Sequence, residues 1–427
     1  MSTSSLALLG GKPVLSVPLK RYSTLGDDDR EAVDNVMRSG VLSGYVGAWS
    51  EAFDGGPVVQ EFERKFAETF RIRHAVAVNS NTSGMIAAMG AIGLSPGDEV
   101  IIPPTTMSAT AMAPLIYGGI PVFADLEAET FCLDVASVKA LISPKTRAIL
   151  VVNIFGHPAN LAELRALADE HGIYLVEDNA QGPLAHENGR YAGTIGHIGI
   201  FSLNYHKHIH TGEGGVCVTD DDRLAARLRM IRNHAENVTE ELGDGDLTNL
   251  VGFNFRLTEL QAAIGLTQLA KAEPLVAARE RVADAFTERL GDLAGLTPPA
   301  VRHGCRHVYY VWTAKYDERV TGVTREVYAR ALEAEGVPVS VGYVKPLYLL
   351  PVFQQRVAIG RDGWPFTLSN RSYGKGLCPV AERMHEKEFV ELHVCSYEFD
   401  DQEIAAVSEA FEKVHANMDQ LTDRGIQ

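Results

Sequence analysis

Residues 174–181 read Tyr174-Leu175-Val176-Glu177-Asp178-Asn179-Ala180-Gln181, a short apolar run that ends on two acids. A run of that kind predicts a buried strand over 173–177, with polar residues delivered at its carboxyl end. The pattern recurs at 74–78, 99–102, 121–124, 148–154, 199–203 and 215–219. Apolar residues at helical spacing lie between most of these runs, at 83–93, 108–117, 135–142, 161–171 and 222–233. Strand and helix in alternation predict an α/β fold, with a mostly parallel sheet covered on both faces.

Outward from this block the pattern changes on both sides. Residues 27–38 begin with acids and predict a helix, and 39–57, rich in glycine with Tyr45, Trp49 and Phe53, predict a loop able to fold over a site. Two long helices are expected at 257–272 and 275–290. Beyond them a strand at 307–315, a helix at 325–336, a strand at 338–342 and a helix at 401–417 predict a smaller α+β domain. The division expected is a large domain over 1–275 and a small one over 276–427.

Composition narrows the function. The 427 residues are 46% apolar and 22% charged, typical of a folded globular chain. Thirty-nine basic against fifty-five acidic residues leave a net charge of -16, which argues against nucleic acid and anionic membranes as partners. No apolar run approaches the ~20 residues of a membrane span. Met1 to Leu9 lacks a basic stretch before an apolar one, and the five cysteines form no C-x-x-C pair. A cytoplasmic location with reduced thiols is expected.

In an open α/β sheet, ligands bind at the carboxyl ends of the strands. Four segments there carry candidate chemistry. Asn79-Ser80-Asn81-Thr82-Ser83-Gly84 leads from a strand into a helix, as a phosphate cradle or as a plain cap. Asp178 ends its strand, either to hold a ring nitrogen protonated or to cap. Lys207, in Ser202-Leu203-Asn204-Tyr205-His206-Lys207-His208-Ile209-His210, is either a Schiff-base amine or a solvated loop lysine. The alternating His206, His208 and His210 offer a rival reading, a metal-dependent hydrolase, although no further ligand cluster accompanies them. Asn254 and Arg256 precede the helix that Thr258 is placed to cap.

Together these segments resemble the DegT/StrS family of fold-type-I pyridoxal-phosphate aminotransferases, which act on keto-sugars and keto-cyclitols. The resemblance runs from about Leu8 to about Lys413. It rests on the Asn-Thr-Ser turn, Pro96-Gly97-Asp98-Glu99, Glu177-Asp178-Asn179-Ala180-Gln181, Lys207 five residues before Gly212-Glu213-Gly214-Gly215, and Gly252-Phe253-Asn254-Phe255-Arg256. It implies an aspartate-aminotransferase-like large domain with a smaller C-terminal α+β domain.

The resemblance also implies roles. Lys207 would bind pyridoxal 5'-phosphate covalently and shuttle the proton, and Asp178 would pair with the pyridine nitrogen. Gln181 would lie beside the phenolic oxygen, and Thr82, Ser83 and Ser202 would clamp the phosphate. Asn254 would reach a partner subunit's cofactor, making a homodimer with shared sites. Met107 stands where relatives stack an aromatic ring, so sulfur and methylenes would replace it.

The expected reaction transfers an amino group from glutamate or glutamine to a keto-sugar, free or nucleotide-linked, or to a keto-cyclitol, with ping-pong kinetics. Tyr45, His307, Tyr309 and Tyr343 are the expected substrate contacts. The stretch 378–383 resembles the cyclitol branch. Some relatives carry histidine in place of the lysine and are sugar dehydratases; counting back from Gly212 lands on Lys207. A non-catalytic regulator that binds the cofactor is the remaining alternative of the same fold.

Overall fold

In the computed structural model, which describes residues 5–241 and 245–421, the short apolar runs pair into one seven-stranded sheet. The outermost residues of the two expected domains, 1–4 and 422–427, lie outside the described residues. The strands are β1 (His74–Val78), β2 (Glu99–Ile102), β3 (Ile120–Phe123), β4 (Thr146–Val152), β5 (Tyr174–Asp178), β6 (Ile198–Ser202) and β7 (Gly215–Thr219). Their order is β1-β7-β6-β5-β4-β2-β3. Neighbours from β6 to β3 are parallel, and β7 runs against both β6 and β1. Nearly every residue in these strands is buried, which is why they read as continuous apolar runs and not as alternating ones.

The helices are α1 (Asp27–Ser39), α2 (Pro57–Phe70), α3 (Asn81–Ala91), α4 (Ala109–Ile116), α5 (Val135–Leu141), α6 (Leu161–His171), α7 (Asp222–Arg232), α8 (Glu259–Ala270) and α9 (Ala272–Leu290). Polar caps fix several starts: Asp221 accepts the Leu224 N–H at 2.9 Å, and Thr258 and Gln261 form a capping box. α3 lies tight on the sheet. A Cβ at Gly84 would stand 2.7 Å from Ile200 Cγ2 and 2.9 Å from Cys217 Sγ, so glycine is what lets this helix settle over β6 and β7.

A second, antiparallel sheet joins β8 (Leu296–Thr297), β9 (Trp312–Tyr316), β10 (Val339–Val341) and β11 (Phe389–Leu392) in the order β8-β9-β11-β10. With α10 (Arg325–Ala334) and α11 (Asp401–His415) it encloses a separate apolar cluster around Phe286, Trp312, Tyr328 and Phe411. Leu6 packs into that cluster. Leu347, Phe353, Phe366 and Tyr373 pack instead with the core of the large sheet.

The strand expected over 307–315 begins only at Trp312. Residues 307–311 run along the turn Ile154–Gly156 instead. The Val308 N–H donates to the Gly156 carbonyl at 3.0 Å and the Tyr310 N–H to the Phe155 carbonyl at 2.7 Å. Tyr309 is left-handed there, with φ 50°, and one such residue ends the extended geometry that the apolar alternation suggested.

Strand geometry also separates the two acids at the end of β5, because consecutive side chains point to opposite faces. The buried Glu177 carboxylate accepts N–H bonds from Gly193 at 2.6 Å, Ile195 at 2.8 Å and Gly196 at 2.5 Å, and one from Asn153 Nδ2 at 3.3 Å. It thereby anchors the turn that leads into β6. Burial raises its pKa, and these donors oppose the rise. Replacing Glu177 with Ala orphans three N–H groups, those of Gly193 and Ile195 buried. A loss of about 3 kcal/mol or more is expected, measured by urea unfolding; an unchanged midpoint would contradict the anchoring role.

Candidate active site

A cavity of about 290 Å³ opens at the carboxyl ends of β5 and β6 and the start of α3. Asp178 reaches it from the face opposite Glu177. Asn81 Nδ2 and the Ala180 N–H donate to Asp178 Oδ1 at 3.2 and 3.1 Å. Burial raises the Asp178 pKa. The Ala180 N–H, the Lys207 charge, the Asn81 amide and the Thr110 hydroxyl pull it back.

Lys207 enters from the loop after β6. Its N–H closes a turn on the Asn204 carbonyl at 3.0 Å, and its Nζ sits 4.1 Å from the centre of the Tyr310 ring. Loss of water lowers the amine's pKa from 10.5 to about 8, with the Asp178 carboxylate acting in the other direction. An amine with that pKa is a nucleophile at neutral pH, which an exposed lysine is not.

The third part is the turn into α3. Ser80 caps the helix, accepting the Ser83 N–H at 3.0 Å, and Thr82 is exposed to the cavity beside it. Gly215 at the start of β7 brings a second strand close: a Cβ there would lie 2.7 to 2.9 Å from the Ser80 and Asn81 backbone. The result is an anion cradle of helix N–H groups and hydroxyls, with Ser202 across from it.

The expected site residues divide accordingly. Thr82, Met107, Asp178, Gln181, Ser202, Lys207 and Tyr343 line the cavity. Met107 is 63% exposed at its mouth. Ser83 is buried behind the turn, donating its hydroxyl to Asn79 Oδ1 at 2.6 Å. Gln181 accepts the Phe155 N–H at 2.6 Å and donates to the Tyr343 hydroxyl at 2.8 Å, so Tyr343 braces this wall from the C-terminal part of the chain.

The other expected contacts lie elsewhere. Asn254 is exposed and accepts from Arg256 Nε at 2.8 Å, away from this chain's own cavity. Tyr45 covers the Arg232 guanidinium, 5.0 Å from its ring centre. His307 is buried and stacks on Tyr309 at 3.8 Å. The three alternating histidines diverge because the loop is not a strand. His206 faces the cavity, His208 Nε2 donates to the Val308 carbonyl at 2.8 Å, and His210 Nδ1 accepts the Gly212 N–H at 3.4 Å. Among the described residues no group of three His, Cys, Asp or Glu is placed to hold a metal.

Sequence reasoning missed the part played by Asn81, whereas Tyr310, beside His307 and Tyr309, was a candidate for shaping the substrate pocket and does line it. Asn81 stands inside the turn that leads into α3, and its amide meets the strand-end acid Asp178 at 3.2 Å. The path that takes Tyr310 there was hidden by the expected strand, whose left-handed break at Tyr309 has no glycine to announce it.

This geometry, a lysine and a carboxylate facing an anion cradle at the carboxyl ends of a mainly parallel sheet, is that of the fold-type-I pyridoxal-phosphate enzymes. The model of the DegT/DnrJ/EryC1/StrS aminotransferase family matches residues 31–397. The L-glutamine:2-deoxy-scyllo-inosose aminotransferase of Streptomyces kanamyceticus is 33% identical over 430 residues, covering 97% of each chain. The GDP-perosamine synthase of Caulobacter vibrioides is 36% identical over 299 residues, 70% of this chain and 79% of that one. The crystal structure of DesI in the presence of its TDP-sugar product superposes with a TM-score of 0.83 at 30% identity, covering 99% of both chains. The chain belongs to the DegT/DnrJ/EryC1/StrS aminotransferase family, and it is an aminotransferase whose cofactor is pyridoxal phosphate.

The lowered lysine pKa sets a pH dependence. Only the neutral amine attacks an aldehyde, so covalent capture of pyridoxal phosphate by cofactor-free protein should rise with pH and reach its midpoint near 8. Borohydride trapping and mass spectrometry of the Lys207 peptide measure it. A rate still climbing beyond pH 10 would show the amine to be in water.

Proposed function

We propose that the chain transfers an amino group from glutamine or glutamate to the keto carbon of a polyhydroxylated ring, in two half-reactions that share the cavity around Lys207. The observation that carries this reading is the desolvated Lys207 amine, poised beside Tyr310 with the buried Asp178 carboxylate on the same cavity. The donor set fits the cofactor: a cradle for its phosphate, an acid for its ring nitrogen and an amine for its aldehyde. Pyridoxal phosphate, when bound, supplies an aldehyde that accepts nitrogen and a ring that takes up the electron pair left when a Cα proton departs.

The chain's own groups do the rest. Thr82, Ser202 and the N–H groups opening α3 bind the phosphate, and Ser83 holds the turn in shape through Asn79. Asp178, fixed by Asn81 and the Ala180 N–H, keeps a proton on the ring nitrogen. The Lys207 amine takes the proton from Cα and returns it one carbon away. Gln181, with Phe155 and Tyr343 fixing both ends of its amide, would lie beside the phenolic oxygen, and Met107 would cover one ring face.

Relatives aligned end to end favour a free keto-cyclitol as acceptor, since the inosose aminotransferase matches over 97% of both chains. A nucleotide-linked keto-sugar is the second reading, favoured by the full-length superposition on DesI. Asn254, turned outward in its own chain, fits a homodimer in which each copy completes the other's phosphate site. All five cysteines are unpaired, which accords with a reducing, cytoplasmic setting.

Incubation with an amino-donor panel against free and nucleotide-linked keto-compounds, read by mass spectrometry, should show nitrogen transfer to one class of ring; transfer to none would reject the function. Lys207→Ala should lose turnover and the visible absorbance of the bound cofactor together. Asp178→Asn should fold normally but slow the proton transfer by on the order of a hundredfold or more, and undiminished single-turnover rates would remove Asp178 from the chemistry.

A further inference from the structure

His206 and Lys207 are consecutive, yet both line the cavity. The turn between Asn204 and Lys207 makes this possible, because it abandons the alternation of a strand. The His206 ring stands edge-on to Tyr205, 4.9 Å between centres, and 6.0 Å from the Tyr310 ring. It is half-buried and makes no hydrogen bond among the described residues.

Burial, the Lys207 charge and the nearby imidazoles of His393 and His210 lower the His206 pKa to about 4. The ring is therefore neutral at working pH and offers one N–H donor and one nitrogen acceptor. It cannot offer positive charge to a carboxylate. Tyr310 beside it presents an aromatic face whose hydroxyl stays protonated, its pKa raised by burial. A neutral donor-acceptor pair next to an aromatic face matches a ring that carries adjacent hydroxyls on an apolar C–H face.

We infer that His206 and Tyr310 form the subsite for the hydroxyl-bearing ring of the amino acceptor, the imidazole exchanging hydrogen bonds with ring hydroxyls and the tyrosine covering a C–H face. This rests on the aminotransferase reading above and names the residues that set its acceptor specificity.

The two half-reactions separate the inference from that reading. Holoenzyme is first treated with L-glutamine or L-glutamate, and the loss of the bound cofactor's visible absorbance gives the donor step. The aminated enzyme is then mixed with whichever keto-compound of the panel the wild type consumes fastest, 2-deoxy-scyllo-inosose included, and the return of absorbance gives the acceptor step. His206→Phe keeps an aromatic ring but no polar atom, and His206→Asn keeps a donor and an acceptor.

The acceptor step of His206→Phe should lose on the order of tenfold or more in kcat/KM, mostly through a raised acceptor KM, and His206→Asn should recover part of it. The loss should exceed any change in the donor step at least tenfold, as the inference places no donor contact on this ring. If His206→Phe takes the acceptor as well as the wild type does, or if both steps fall together, the subsite is overturned while the aminotransferase reading stands. If wild-type protein fails at the donor step, both fall.

Discussion

A lysine amine and a carboxylate share one water-poor cavity, and much of the surrounding structure follows from that. Each group loses hydration, and burial pushes each toward its neutral form: the Lys207 pKa falls while that of Asp178 rises. Each charge opposes the shift of the other. An arrangement balanced in this way is sensitive to small displacements, because interaction energies in a low dielectric change steeply with distance. The scaffold must therefore hold both side chains on rigid supports.

The supports are ordinary pieces of secondary structure placed at strand ends. β5 delivers Asp178 to the cavity and, by alternation, Glu177 to the opposite face, where three backbone N–H groups secure the approach to β6. α3 begins beside the acid because Gly84 lets the helix lie close, and Asn81 in its first turn then reaches Asp178. The C-terminal part of the chain closes the wall through one hydrogen bond, from Gln181 to the Tyr343 hydroxyl. Tyr343 itself is left-handed, with φ 51°, and packs edge-on against Phe155 at 4.7 Å. Segments more than 160 residues apart thus meet at one amide.

What was legible in the sequence were features with a local period. The seven buried strands announced themselves as apolar runs, and the strand-end acid and the loop lysine stood in fixed register to those runs. The paired acids at 177 and 178 could be told apart only by the face each occupies, which depends on what packs there. The fate of His208 and His307 was hidden for the same reason: their partners, a carbonyl at Val308 and a ring at Tyr309, come from a segment whose path is set by contacts with the Ile154–Gly156 turn. Tyr310 reached the cavity by that irregular path. No periodicity marks a segment whose shape is imposed from outside.

Charge gives the cavity a further asymmetry. Among its described lining residues Lys207 is the one lysine or arginine, with Asp178 and Glu213 as acids and His206 held neutral. A neutral ring can settle against such walls using hydrogen bonds and an aromatic face alone. An amino acid cannot, since its carboxylate needs a cation once the lysine is engaged at the reacting carbon, and the acidic surface of a chain carrying -16 charges offers no help from long range. A second chain at the cavity mouth would meet that need locally. The outward position of Asn254 and the demand of the donor's charge both accord with the homodimer proposed above.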